Sequence, residues 1–165
     1  MPIAITPYQP ADKAVLIDLS LAAWAPVFAQ MAAAVPPFVY ANFYPNGWEA
    51  RQRTDLSAVL DNESGRVRVA RLNGQTVGWL GYRLHPGDRM GEIYVLAVTP
   101  AQQRRGIGTA LMNDAFTLIQ ASGMDMVMVE TGGDPGHQPA RDAYESAGFE
   151  RWPVARYFKK LQKTP

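Results

Sequence analysis

The sequence predicts a mixed α/β fold: a central twisted sheet, antiparallel in its N-terminal part and parallel on its far side, flanked by about four helices. Three stretches carry that prediction. Residues 66–72 alternate polar with apolar side chains, Asn73-Gly74 is the pair that suits a two-residue hairpin turn, and residues 75–84 form the returning strand. Residues 92–98 and 124–131 are apolar runs with a helical stretch between them, the order of a crossover joining parallel strands. Within that stretch Ile107, Leu111, Ala115, Leu118 and Ile119 recur at helical spacing. At 165 residues and 47% apolar composition the chain suits one domain, residues 1–165, with a core of its own.

Taken in order, Ile3 to Thr6 reads as a short strand, and Asp12 as the cap of a helix with Val15, Leu16, Leu19, Ala22 and Ala23 on one face. Pro26 lacks a backbone N–H and is expected to interrupt that helix, and Pro36-Pro37 to end the alanine-rich segment after it. Residues 38–47 are aromatic and irregular. A second helix runs from Trp48 to Leu60, with Trp48, Leu56, Val59 and Leu60 inward and Glu49, Arg51, Arg53 and Asp55 outward. The hairpin comes next, then a turn over 85–89, the strand to Val98, and a helix stopped at Gly123. After the strand ending at Glu130-Thr131 comes a turn cluster at 132–136. Pro139 suits the start of a helix ending at Ala147-Gly148, and Arg151 to Leu161 alternates as one or two closing strands would.

Composition excludes several classes. Lys plus Arg number 16 against 15 Asp plus Glu, so no global charge directs the chain to nucleic acid. The absence of cysteine excludes a disulfide framework, a zinc ribbon and a thiol nucleophile, and fits an intracellular compartment. His85 and His137 lack metal-ligand spacing and read as loop residues, so no metal is expected. The N-terminus has no charged segment leading into an apolar one, and proline breaks the longest apolar stretches. The expectation is a soluble cytoplasmic protein with no membrane contact.

The chemistry is concentrated in Gln103-Arg104-Arg105-Gly106-Ile107-Gly108-Thr109, between the strand ending at Val98 and the next helix. A helix N-terminus carries unpaired N–H groups and partial positive charge, and glycines at 106 and 108 remove the Cβ atoms that would hold an anion away. The loop suits phosphate oxygens. A Rossmann fingerprint would need a third glycine where Leu111 stands, and a P-loop would need Gly-Lys, which does not occur. There remains Gln-x-x-Gly-x-Gly, flanked by Leu96-Ala97-Val98 before and Thr109-Ala110-Leu111-Met112 after. With the distal string Ala140-x-x-x-Tyr144-Glu145-x-x-Gly148-Phe149, the chain resembles the GNAT superfamily of N-acetyltransferases over roughly residues 66 to 161.

That resemblance implies acetyl-CoA as donor, its pyrophosphate on residues 103–109 and its pantetheine inserted beside Leu96, Ala97 and Val98, between two parallel strands that splay apart. It also implies Tyr144 near the sulfur, as proton donor to the departing thiolate. Many members carry Asn where His137 stands, so His137 takes that pantetheine-binding position with a single hydrogen bond to offer. Glu92 matches the spacing of the general base in the histone-acetylating members, and a partly buried strand carboxylate would have the raised pKa a base needs. Glu130 is a second carboxylate, otherwise expected to pair with Arg141. The acceptor pocket falls at residues 20–60 and 151–158, where Trp24, Phe28, Phe38, Tyr40, Phe43, Tyr44 and Trp48 could wall it or form core. The region lacks the acidic cluster a polycation would need, which points to a small or singly charged amine. Two other readings remain open at this stage: a peptide or protein N-acetyltransferase, and a non-catalytic acyl-CoA-binding module. Many relatives being dimers, a homodimer is compatible with the resemblance.

Overall fold

A computed structural model describes residues 2–164. A five-stranded sheet runs in the order β1-β2-β3-β4-β5, from Ile3–Pro7, Val67–Leu72, Gln75–His85, Met90–Val98 and Met126–Val129. The first four strands are antiparallel neighbours, and β5 lies parallel to β4. Asn73 and Gly74 turn β2 into β3 with φ of 51° and 78°, the left-handed conformation that a type I′ turn requires. The helices are α1 (Lys13–Ala34), α2 (Pro37–Phe43), α3 (Trp48–Asn62), α4 (Ile107–Ala121) and α5 (Gln138–Ser146). The crossover through α4 produces the parallel pair, as the order of apolar runs implies.

Each face of the sheet carries a core. On one side Leu16, Leu19 and Leu21 of α1 and Leu56 and Leu60 of α3 close over Val67, Val69, Trp79 and Ala97. On the other, Ile107, Leu111, Ala115 and Ile119 of α4 cover Ala70, Leu80 and Ile93. These are the residues whose spacing marked α4 as a helix. Two polar contacts brace the layers. The fully buried Trp79 indole donates to Ser20 Oγ at 2.8 Å, and Ser20 passes its own hydrogen to the Leu16 carbonyl at 2.6 Å. Arg68 on β2 forms a two-pronged bond to Asp114 of α4, at 2.6 and 3.2 Å, which fixes that helix along the sheet.

The structure departs from the sequence reading at several places. α1 continues through Pro26 as one 22-residue helix. Proline costs a helix interior about 3 kcal/mol, but here both halves are anchored: Leu16 to Leu21 in the core, and Phe28 stacked on Trp48 with ring centroids 4.3 Å apart. Val15 is exposed and Ile17 and Leu21 are buried instead, because the helix meets both the sheet and α3. By length and composition the segment Pro10–Ala34 could cross a membrane; in this fold its inner face is the wall of the core. Within the stretch 38–47 expected to be irregular, residues up to Phe43 belong to α2, which Pro37 opens in its first turn. β5 is only four residues long. Finally, residues 151–161 form no strand: Trp152, Val154, Tyr157 and Leu161 are 80–90% exposed, and the segment pairs with no strand among the described residues.

Candidate functional site

The site begins with a fault in β4. Gly81 of β3 pairs with Val95 and Tyr82 with Ile93, leaving Tyr94 without a partner in the ladder. This is a β-bulge, and it places consecutive residues, Tyr94 and Val95, on the same face of the sheet. Bulged strands bend. Accordingly β4 and β5 are paired only from Met90↔Met126 to Ile93↔Val129, and beyond the bulge they separate. Tyr94 to Val98 on one side and Val129 to Thr131 on the other line a cleft of about 750 Å³. The splay that the resemblance implies is therefore present, with an unpaired strand edge along one wall.

At the end of that edge stands the glycine loop. Gly106 adopts φ of 81° as the N-cap of α4, and the first bond of the helix runs from Ala110 N–H to the Gly106 carbonyl at 2.9 Å. The N–H groups of Ile107, Gly108 and Thr109 thus precede any intrahelical partner, and a glycine cap has no side chain to satisfy them. Gln103 donates from Nε2 to the Val98 carbonyl at 3.0 Å, tying the loop to the strand. Arg104, with φ of 60°, lines the cleft. Arg105 does not line it; its guanidinium turns back to Gln102 Oε1 at 2.6 Å. The donors and the arginine charge fit an anionic phosphate group, as the residue pattern implied.

The opposite rim comes from the turn after β5 and from α5. His137 caps α5 and lines the cleft, with Nδ1 2.5 Å from Asp134 Oδ1. Asp134 also accepts the Gly136 N–H at 3.1 Å, and Arg141 holds the turn by donating to the carbonyls of Gly132 and Asp134 at 2.5 and 2.8 Å. Gly132 is required there, since a Cβ would lie 2.4 Å from Asp134 Oδ1 and 2.7 Å from His137 Nδ1. Among the described residues His137 Nε2 has no hydrogen-bond partner. Asp134 escaped the sequence reading, which took Gly132 to Gly136 as a turn only; an Asp three residues before a His was the available signal. Tyr144 lines the cleft about two helical turns beyond His137, edge-on to Phe149 with centroids 5.9 Å apart, and burial pushes its phenol pKa up.

The two candidate carboxylates are both engaged. Glu92 lies below the bulge, does not line the cleft, and contacts His85 Nε2 at 2.6 Å. Glu130 lines the cleft but pairs with Arg156 at 2.9 Å, because Arg141 is committed to the turn carbonyls. Of the aromatic residues expected in an acceptor wall, Trp24 and Phe28 line the cleft along with Ala23 and Val27. Tyr40, Phe43, Tyr44 and Trp48 instead form a cluster of stacked and edge-on rings behind Phe28. The positions Leu96, Ala97, Val98, Gln103, Gly106, Ile107, Gly108 and Thr109 all border the cleft, so the strand end and the glycine loop form one continuous wall.

A family model described as the acetyltransferase (GNAT) family matches residues 35–149. A mycothiol acetyltransferase of Stackebrandtia nassauensis is 37% identical over 123 residues, covering 70% of this chain and 39% of that protein. The mycothiol acetyltransferase of Arthrobacter sp. (strain FB24) is 32% identical over 108 residues, covering 61% of this chain and 33% of that protein. The chain therefore spans well under half the length of these relatives. Among solved structures, a PaiA N-acetyltransferase from Thermoplasma acidophilum in complex with coenzyme A superposes with a TM-score of 0.66 at 14% identity, over 94% of both chains. The aminoglycoside N-acetyltransferase AAC(6')-Iy in complex with coenzyme A gives 0.63 at 12% identity, over 96% of this chain and 95% of that one. At these identities the likeness is one of fold.

Proposed function

The chain belongs to the acetyltransferase (GNAT) family, and from that premise we propose that residues 1–165 act as one catalytic unit. It transfers an acetyl group from acetyl-CoA to a primary amine of a small molecule. The observation that carries this reading is the continuity of the cleft: an unpaired strand edge at residues 94–98 leads directly to the bare N–H groups of Ile107, Gly108 and Thr109. An amide-bearing chain ending in a pyrophosphate has the shape and hydrogen-bonding groups to use both. Acceptor size is argued from the α1 wall. Ala23, Trp24, Val27 and Phe28 are uncharged, and of the two carboxylates in the lining Glu130 is paired with Arg156 while Asp142 accepts from the Gln138 side-chain amide at 2.7 Å, so the cleft lacks the cluster of free acids that a polycation would need.

In the reaction the amine nitrogen attacks the thioester carbonyl, the C–S bond breaks, the nitrogen loses a proton and the thiolate gains one. Tyr144 supplies the second proton, since burial keeps the phenol neutral at working pH. For the first, His137 is the acceptor nearest the cleft: Asp134 holds Nδ1, which leaves Nε2 to face a partner, as in other carboxylate-oriented imidazoles. Glu92 is kept as the remote end of the proton path, reached through solvent, because it lies outside the cleft lining.

Free-thiol release from acetyl-CoA across an amine panel tests the reading. Amine-dependent release is expected; calorimetric binding of acetyl-CoA without release by any amine would make the domain a non-catalytic acyl-CoA-binding module. Two variants divide the proton path. His137→Asn keeps a hydrogen-bonding group and loses the proton acceptor, so turnover should fall by about 10² to 10⁴ with acetyl-CoA affinity nearly unchanged. If His137→Asn loses less than about threefold while Glu92→Gln collapses turnover, the base is Glu92.

A further inference from the structure

One polar side chain interrupts the apolar face of α3. Trp48, Leu56, Val59 and Leu60 turn that helix toward the core, where Leu56 and Leu60 are buried and Trp48 stacks on Phe28 of α1. Gln52 stands one turn after Trp48 and one turn before Leu56, so it shares their face. An apolar residue is the ordinary occupant of such a position. Gln52 is partly buried there, and among the described residues it is the one member of α3 that lines the cleft. Its neighbours on the outer face are engaged: Arg51 donates to Asp55 at 2.9 Å, Arg53 to Asp18 at 3.2 Å, and Thr54 to the Ala50 carbonyl at 3.1 Å. In the cleft lining Gln103 is tied to the Val98 carbonyl and Gln102 to Arg105, while Gln30 is exposed at the rim. The Gln52 carboxamide makes no hydrogen bond to another described residue and faces the cleft unmet.

The position of this amide identifies what meets it. With the donor on the β4 edge and the glycine loop, the wall left for the acceptor is formed by Ala23, Trp24, Val27 and Phe28 of α1 and by Gln52. Trp24 lies one turn before Phe28, whose ring touches Trp48, so the amide stands beside a largely apolar surface. A carboxamide offers one acceptor oxygen and two N–H donors without charge. It is matched by a neutral group that both donates and accepts, a hydroxyl or a second amide. An acceptor without such a group would strip water from the Gln52 amide and leave it unpaired, the circumstance in which a site discriminates most strongly.

We propose that Gln52 is a specificity-determining residue: it hydrogen-bonds a hydroxyl or amide carried by the acceptor, whose carbon frame lies against Trp24 and Phe28. The proposal rests on acetyl transfer to a small amine and narrows that acceptor to amino alcohols and amino amides.

Matched amines test it. Each ω-amino alcohol from ethanolamine to aminohexanol is compared with the n-alkylamine in which a methyl group replaces the hydroxyl, with rates referred to the concentration of free amine. The ω-amino amides from glycinamide to aminohexanamide form a second arm, which tells an amide-bearing acceptor from a hydroxyl-bearing one. At the chain length that fits, kcat/KM should favour the polar member by at least about tenfold, chiefly through KM. Gln52→Leu, similar in size and suited to an apolar face, should bind acetyl-CoA as before and bring that ratio to about one. Gln52→Glu should shift the preference to diamines. In parallel, each amine is titrated calorimetrically into protein loaded with coenzyme A, which reads binding without turnover. A ratio within about twofold at every length in both readouts overturns the proposal, as does either variant that keeps the parent's order of preference. Turnover without preference overturns it and leaves the catalytic reading standing; preferential binding with no amine turned over supports the role of Gln52 and removes the catalytic reading.

Discussion

Replacing Tyr94 with Phe should make the protein more stable, which is unusual for a substitution within the lining of a functional cleft. The Tyr94 hydroxyl is buried with no protein group to donate to or accept from. Burial, the largest influence, pushes the phenol pKa from 10.0 up to about 12. An unsatisfied buried hydroxyl costs about 1–3 kcal/mol. Deleting it leaves a gap smaller than a methyl group beside Gly81, where a Cβ would have met the hydroxyl at 2.7 Å, and that gap returns a cost of up to about 1 kcal/mol. The Arg83 guanidinium stacks 3.9 Å above the ring, a contact that phenylalanine also provides. The net gain is about 1 kcal/mol, or about 2–4 °C in Tm for a chain of this size. Scanning calorimetry with a matching denaturant titration reads it. The gain should widen in alkali: a raised folded pKa means the wild type loses stability as pH climbs from 10.0 to about 12, and the variant has no such group to lose. A lower or unchanged Tm would refute the reasoning and show that the hydroxyl has a partner, such as a bound water.

The loop predictions rest on where a side chain has room. At Gly108 an added Cβ meets no atom within 4 Å, so Gly108→Val should fold normally while acetyl-CoA binding by calorimetry weakens at least about tenfold; unchanged affinity would remove the loop from the site. Gly106→Val should also lose binding but with added strain, since φ there is 81°. Arg104→Ala should cost affinity and Arg105→Ala much less, the difference shrinking with salt, because only Arg104 lines the cleft. Tyr144→Phe should lower turnover by about 10- to 100-fold with stability within about 1 kcal/mol. Full activity in that variant would return Tyr144 to a packing role.

The composition and spacing of the chain determined those features that depend on neighbours a few residues apart. The Asn73-Gly74 turn, the stripe Ile107-Leu111-Ala115-Ile119 and the bare glycine cap at 106 are local: each is dictated by φ, by helical periodicity, or by the loss of a Cβ, and all three stand in the structure as read. Local too was the Asp134–His137 contact, missed because a turn cluster conceals a side-chain bond three residues apart.

Long-range competition settled the rest, and no window of sequence contains both competitors. Pro26 should break a helix by its own chemistry, yet Phe28 packing on Trp48 and Leu16–Leu21 packing on the sheet hold α1 together through it. The bulge at Tyr94 is a matter of register between β3 and β4, invisible until both strands are paired, and it is the bulge that parts β4 from β5. Glu92 looked like a free strand carboxylate until the hairpin returned His85 to within 2.6 Å of it. The alternation of residues 151–161 reads as a strand pattern, but a strand forms only where another edge satisfies its backbone groups; Arg156 reaches Glu130 just past β5, yet no strand pairs with the segment among the described residues.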